Sequence, residues 1–123
     1  MAVKPIAITR HPDAWSYTSS ASGIVNTTTA VPIKAAAGAG IRNYITDIQI
    51  DHDTLGAGTE VAIRDGAGGT VLWRGKLKTT ALPIVSVTFQ TPLAGSPNTL
   101  LEVVTLTAVT GGVFVNAQGY AGP

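Results

Sequence analysis

From residue 41 onward, apolar and polar side chains alternate with a period of two. Tyr44, Thr46, Ile48 and Ile50 fall on one side and Asp47, Gln49 and Asp51 on the other, the pattern of a strand buried on one face. After a loop from Asp53 to Gly58, Val61 and Ile63 point in while Glu60, Ala62 and Arg64 point out. Asp65-Gly66-Ala67-Gly68-Gly69 then predicts a hairpin connection, because aspartate and repeated glycine tolerate positive φ. Val71, Trp73 and Gly75 run back antiparallel, and Val85, Val87 and Phe89 form the next inward face. Pro92 to Asn98 reads as a long turn holding two prolines, and Leu100 to Val109 as a long apolar strand. Thr110-Gly111-Gly112 turns it into a last strand with Val113, Val115 and Ala117 inward. On this reading Glu60 and Glu102 occupy solvated, outward positions.

The first 38 residues follow a weaker pattern. Ile6 and Ile8 alternate briefly, His11-Pro12-Asp13 follows, and then Trp15 and Tyr17. Polar stretches at Thr18 to Gly23 and Asn26 to Thr29 precede Ala35-Ala36-Ala37-Gly38-Ala39-Gly40, whose glycines and lack of amphipathic period argue against a lasting helix. The expected organisation is an extended N-terminal arm over residues 1–12, followed by a β-sandwich domain over residues 13–123 that opens with two or three short strands. At about 3.3 Å per residue, twelve extended residues reach about 40 Å. Short strands spaced about ten residues apart indicate an all-β sandwich or barrel, and about eight of them in two sheets make a jelly-roll-like β-sandwich. Periodicity alone does not fix which strands pair.

Composition sharpens this picture. A chain of 123 residues forms one domain, and area scaling allows about two-thirds of its surface to be buried without staples. The 17 Thr and 12 Val against 2 Glu and 3 Gln favour strands over helices. Cysteine is absent, which excludes disulfide scaffolds and zinc–thiolate modules. Eight basic and seven acidic residues leave a net charge of +1, unsuited to a nucleic-acid binder. Charged residues are only 12% of the chain, about half the ordinary share, which suits a protein packed among neighbours. No apolar run reaches the roughly 18 residues of a membrane helix, so no membrane partner is expected. The start lacks the marks of a secretory signal, so synthesis and folding in a cytosol (cytoplasm) are expected.

Candidate chemistry is sparse. His52 lies between Asp51 and Asp53, but in extended chain it points away from both, so no metal site is expected. His11 precedes Pro12, which extends it and favours a surface or interface role. Four of the six serines lie between Ser16 and Ser22, and no Gly-x-Ser-x-Gly elbow is present. Gly66-Ala67-Gly68-Gly69 lies between strands and matches no phosphate-binding pattern. The chain therefore reads as a non-enzyme with no catalytic residues and no cofactor. Trp73, in phase with Val71, reads as core. Trp15 and Tyr17 are the better candidates for exposure, where aromatic residues anchor protein interfaces. The alternative is a receptor- or carbohydrate-binding module, with Trp15, Tyr17 or Tyr120 stacking on sugar.

Several stretches are similar to a known family. They are His11-Pro12-Asp13-Ala14-Trp15-Ser16-Tyr17, Ile41 to Thr46, Asp51 to Glu60, Ile63 to Gly75, Asn98 to Val103 and Gly111 to Tyr120. Together, over nearly the whole chain, they resemble small structural proteins of tailed-bacteriophage head gene clusters, the decoration (cement) proteins. The resemblance implies a jelly-roll-like fold on the outer surface of the virion capsid, clustering at symmetry axes and contact with a major capsid protein of HK97-like fold. Self-association as a homodimer or homotrimer is expected, with Ile6, Ile8, His11, Trp15, Tyr17 and Tyr120 as candidate capsid or self-interface residues. No catalytic residue carries over.

Overall fold

A computed structural model describes residues 13–24 and 28–123. The strands are β1 (Ala14–Tyr17), β2 (Val31–Lys34), β3 (Arg42–His52), β4 (Thr59–Asp65), β5 (Thr70–Leu77), β6 (Leu82–Ala94), β7 (Leu101–Thr105) and β8 (Val113–Gly122). β1 pairs with β8, β2 with β7, β3 with β6 and β4 with β5, all antiparallel. The chain is thus one long hairpin closed at the β4–β5 turn. It is rolled so that β8 also meets β3 and β7 also meets β4. The result is two four-stranded sheets, β1-β8-β3-β6 and β2-β7-β4-β5, which is the jelly-roll strand order. The all-β, jelly-roll-like sandwich expected from the sequence is the observed fold. The leading arm, with Ile6, Ile8 and His11, lies outside the described residues.

The core forms where the inner faces meet. Ile45, Ile48, Ile50, Val113, Val115 and Ala117 from one sheet face Val61, Ile63, Leu101 and Val103 from the other, all buried. The β4–β5 turn has the conformation its glycines allow, with Gly66 and Gly68 at φ of 91° and 66°. Asp65 fixes that turn to the β6–β7 loop, accepting from Ser96 N at 2.9 Å and from the Ser96 hydroxyl at 2.6 Å.

Several details differ from the sequence expectation: β6 runs on through Pro92 to Ala94, residues read as part of a turn, and Leu93 and Ala94 pair with Ile45 and Tyr44. In β3, Ile45 pairs with Gly119 and Asp47 with Gln118, so Thr46 is an extra residue, a β-bulge. Asn43 and Ile45 face inward before it, and Ile48 and Ile50 after it. Tyr44 therefore shares the outer face with Asp47 and Gln49, not the inner face with Ile48. A second shift in β5 sets Trp73 opposite inward Ile63 and Val71 opposite Arg64, so those two residues do not share a face. Trp73 folds its ring over Gly75, partly buried against the core. The apolar run from Leu100 to Val109 is not one strand. β7 ends at Thr105, Leu106 is 44% exposed, and Val109 re-enters the core from a loop. Thr59 holds that loop, its hydroxyl donating to the Thr107 carbonyl and accepting from Thr107 N, each at 3.0 Å.

Candidate interaction surface

The aromatic candidates divide between the two faces of the first sheet. Trp15 and Tyr17 pair with Gly119 and Ala117, inward positions of β8. Both are half-buried against the core instead of standing exposed. Gly119 is what admits the indole: a Cβ there would lie 2.8 Å from Trp15 Cζ2. The indole Nε1 is buried without a hydrogen-bond partner. Tyr120 faces the other way. It pairs with Tyr44, and the two rings stack at 4.8 Å and 16°. The Tyr44 hydroxyl donates to the Pro123 carbonyl at 2.7 Å. Beside the stack, Gln49 and Gln118 exchange side-chain hydrogen bonds of 3.0 Å in both directions. Trp15 and Tyr17 therefore do not converge with Tyr120 on one platform.

Several of the described charged groups hold the body together. Glu102 is 4% exposed, although it sits on the outer side of β7. It accepts from Arg64 Nε at 2.7 Å and from Gly68 N at 3.0 Å, which corrects its reading as a solvated position. The neighbouring outer residues Ala62 and Val104 are buried as well. Glu60 meets Arg74 at 3.5 Å on the surface. His52 is buried, and its Nδ1–H donates to the Asp53 carbonyl at 2.7 Å. Asp51 lies on the opposite face of the strand, and Asp53 is exposed. Among the described residues, no three His, Asp or Glu side chains gather at one point.

The sheet edges differ sharply. β1 and β2 are four residues each, and β2 carries Pro32 and Lys34. β5 sets Arg74, Lys76 and Lys78 at alternate exposed positions along and just past its end. Two open hollows, about 410 and 320 Å³, share Lys76, Leu77 and Lys78. β6 is the exception. It is 13 residues long, Leu-Pro-Ile-Val-Ser-Val-Thr-Phe-Gln-Thr-Pro-Leu-Ala, and carries no charge. Ile84 on it is 69% exposed and Val85 42%. The sequence shows the uncharged run between Pro83 and Pro92, but only the strand order places it at an edge.

No protein-family model and no curated protein matches the chain. Two solved structures of tobacco streak virus coat protein, one of them described as its dimer, are similar to it at 14% identity and a TM-score of 0.39. In each case the match covers 95% of this chain and 92% of the coat protein. The jelly-roll assignment rests on the strand order, independently of these neighbours.

Proposed function

We propose that this chain is a structural protein of a phage virion, a decoration (cement) protein. It binds the outer surface of an icosahedral head and bridges neighbouring major capsid subunits of HK97-like fold. It acts by adhesion, without catalysis or a cofactor. The observation that carries this reading is a jelly-roll sandwich with one long uncharged edge, β6, on which copies can join into a unit that meets more than one shell subunit. The family resemblance of the sequence points the same way. A standard protein contact buries about 1,600 Å². Once one shell subunit is bound, contact with the next is intramolecular, so modest affinities combine. Residues 1–12, which the sequence leads one to expect as an extended arm, carry three of the candidate contacts, Ile6, Ile8 and His11. The carbohydrate alternative is weakened because Trp15 and Tyr17 pack inward.

The test is reconstitution on purified heads that lack the protein. The full chain is expected to bind and to raise the temperature at which the heads open, and the chain shortened to residues 13–123 to bind more weakly while staying folded. Equal binding by the shortened chain overturns the role of the arm. Absence of the protein from purified virions overturns the proposal.

A further inference from the structure

We propose that β6 is a self-association edge: two copies join β6 to β6, antiparallel, about a two-fold axis through Val87 or Thr88. The two first sheets then become one continuous sheet of eight strands. The inference stands on the edge geometry alone and holds wherever the protein resides.

An edge strand leaves every second N–H and C=O without a strand partner, a template for pairing. Soluble proteins blunt such edges by shortness, proline or charge. Three of the four edges here follow that rule: β1 and β2 by their length, β5 by its cations. β6 follows it only at its ends. Pro83 and Pro92 lack N–H groups and lie in the two stretches, 83–84 and 89–92, where β6 leaves its register with β3, but the eight residues between them, Ile84 to Thr91, are uncharged and rich in β-branched side chains, and Val85 to Thr88 run in register.

The occupant follows from self-complementarity. Two-fold pairing sets a strand against its own reverse. On β5, an axis at Lys76 would oppose Lys76 to Lys76 and Arg74 to Lys78. β6 has no charge to repel its copy, and no charge by which a different partner would be selected. The pleat also limits the register. Val85 and Val87 pair with Ile50 and Ile48 and so face the core side, whereas Ser86 and Thr88 pair with Gln49 and Asp47 on the outer side. Paired residues must share a face, so the axis passes through a residue and not between two. Only axes at Val87 or Thr88 keep both prolines at the ends of the paired segment. With the axis at Val87, exposed Val85 meets Phe89 of the copy and Ser86 meets Thr88. With the axis at Thr88, Val87 meets Phe89 and Thr88 meets itself. An isologous contact of this kind closes at two copies, which selects a dimer over a trimer.

The absence of cysteine makes the test clean. Opposed residues of an antiparallel pair lie about 4.5–5.5 Å apart at Cα, within disulfide range. Full-length Ser86→Cys, Thr88→Cys and Leu106→Cys chains are oxidised singly and in mixtures, alongside sedimentation of the unmodified chain. Expected are a wild-type dimer and rapid cross-linking, either of mixed S86C and T88C chains or of T88C alone, with Leu106→Cys unlinked. The double variant Ser86→Lys/Thr88→Lys sets like charges opposite one another in either register. It is expected to weaken dimerisation about tenfold or more while keeping the wild-type circular dichroism spectrum. A monomeric wild type, Leu106→Cys linking as fast as the β6 variants, or an undiminished dimer in the folded double-lysine variant overturns the proposal.

Discussion

Arg64 and Glu102 meet on the outer side of the second sheet, Arg64 Nε donating to Glu102 Oε2 across 2.7 Å. The two side chains are unequal: Arg64 is 21% exposed and Glu102 only 5%. Water can serve the guanidinium if the pair is broken, but it cannot serve the carboxylate. Gly68 N donates to the same oxygen, so this carboxylate ties β7 to both β4 and the β4–β5 turn.

Removing the cation should therefore hurt most. Arg64→Met leaves a buried carboxylate with one backbone donor and is expected to cost about 3 kcal/mol. Replacing both partners, as Arg64→Met with Glu102→Leu, should recover most of that loss, because a buried pair offsets little more than its own desolvation. Urea unfolding of the two single variants and the double variant checks this. Equal stability of Arg64→Met and wild type would show that the pair is solvated in solution.

The bulge at Thr46 makes a sharper contrast. Ile45 and Ile48 both face the core because one extra residue separates them. Deleting Thr46 restores strict alternation and keeps Ile45, Ile48 and Ile50 inward, so the variant should fold with a loss of about 1 kcal/mol. Deleting Gln49, three residues further on, turns Ile50 outward and Asp51 inward. That variant should not form a cooperative fold. Thermal melts of the two deletions decide the point.

This bulge also marks how far the sequence was legible. The alternation around Val61, Val85 and Val113 and the glycines of the Asp65–Gly69 turn indicated an all-β sandwich, and the strands stand where those signals lie. A single inserted residue reverses the phase of the alternation, and Tyr44 and Thr46 are side chains that can continue the phase of Ile48 and Ile50, so Tyr44 read as an inward residue although it stacks on Tyr120 outside. Leu106 and Val109 carried the apolar pattern of β7 into what is a loop, because pattern does not report where hydrogen-bonding partners end. The burial of Glu102 depends on Arg64, 38 residues away in sequence. The exposure of β6 depends on which strands occupy the sheet centre. Both are consequences of long-range pairing, which periodicity does not encode.

Gly119 tests how closely β8 approaches its neighbours. A Cβ at this position would lie 1.8 Å from the Tyr44 carbonyl oxygen and 2.8 Å from Trp15 Cζ2. The first of these is backbone and cannot swing aside. Gly119→Ala is expected to cost about 3 kcal/mol by prying β8 from β3 and displacing the indole. Loss of near-ultraviolet circular dichroism below the main melting transition would report the displaced Trp15. An unchanged melting temperature would mean that the sheet relaxes freely here.

Trp15 separates a packing role from a contact role. Its ring packs against the core from the inner side of β1, and its Nε1 is buried without a partner. Trp15→Phe keeps most of the apolar area and removes the unpaired donor, so its stability should stay within about 1 kcal/mol of wild type. Trp15→Ala opens a cavity and should cost about 3 kcal/mol. If the indole acts only by packing, Trp15→Phe binds purified heads as the wild type does, and Trp15→Ala loses binding only at temperatures where it unfolds. If the indole is instead an anchor on the capsid or on a sugar, Trp15→Phe loses binding while remaining folded. Paired melting and head-binding measurements on the two variants distinguish these outcomes, because only a contact role uncouples affinity from stability.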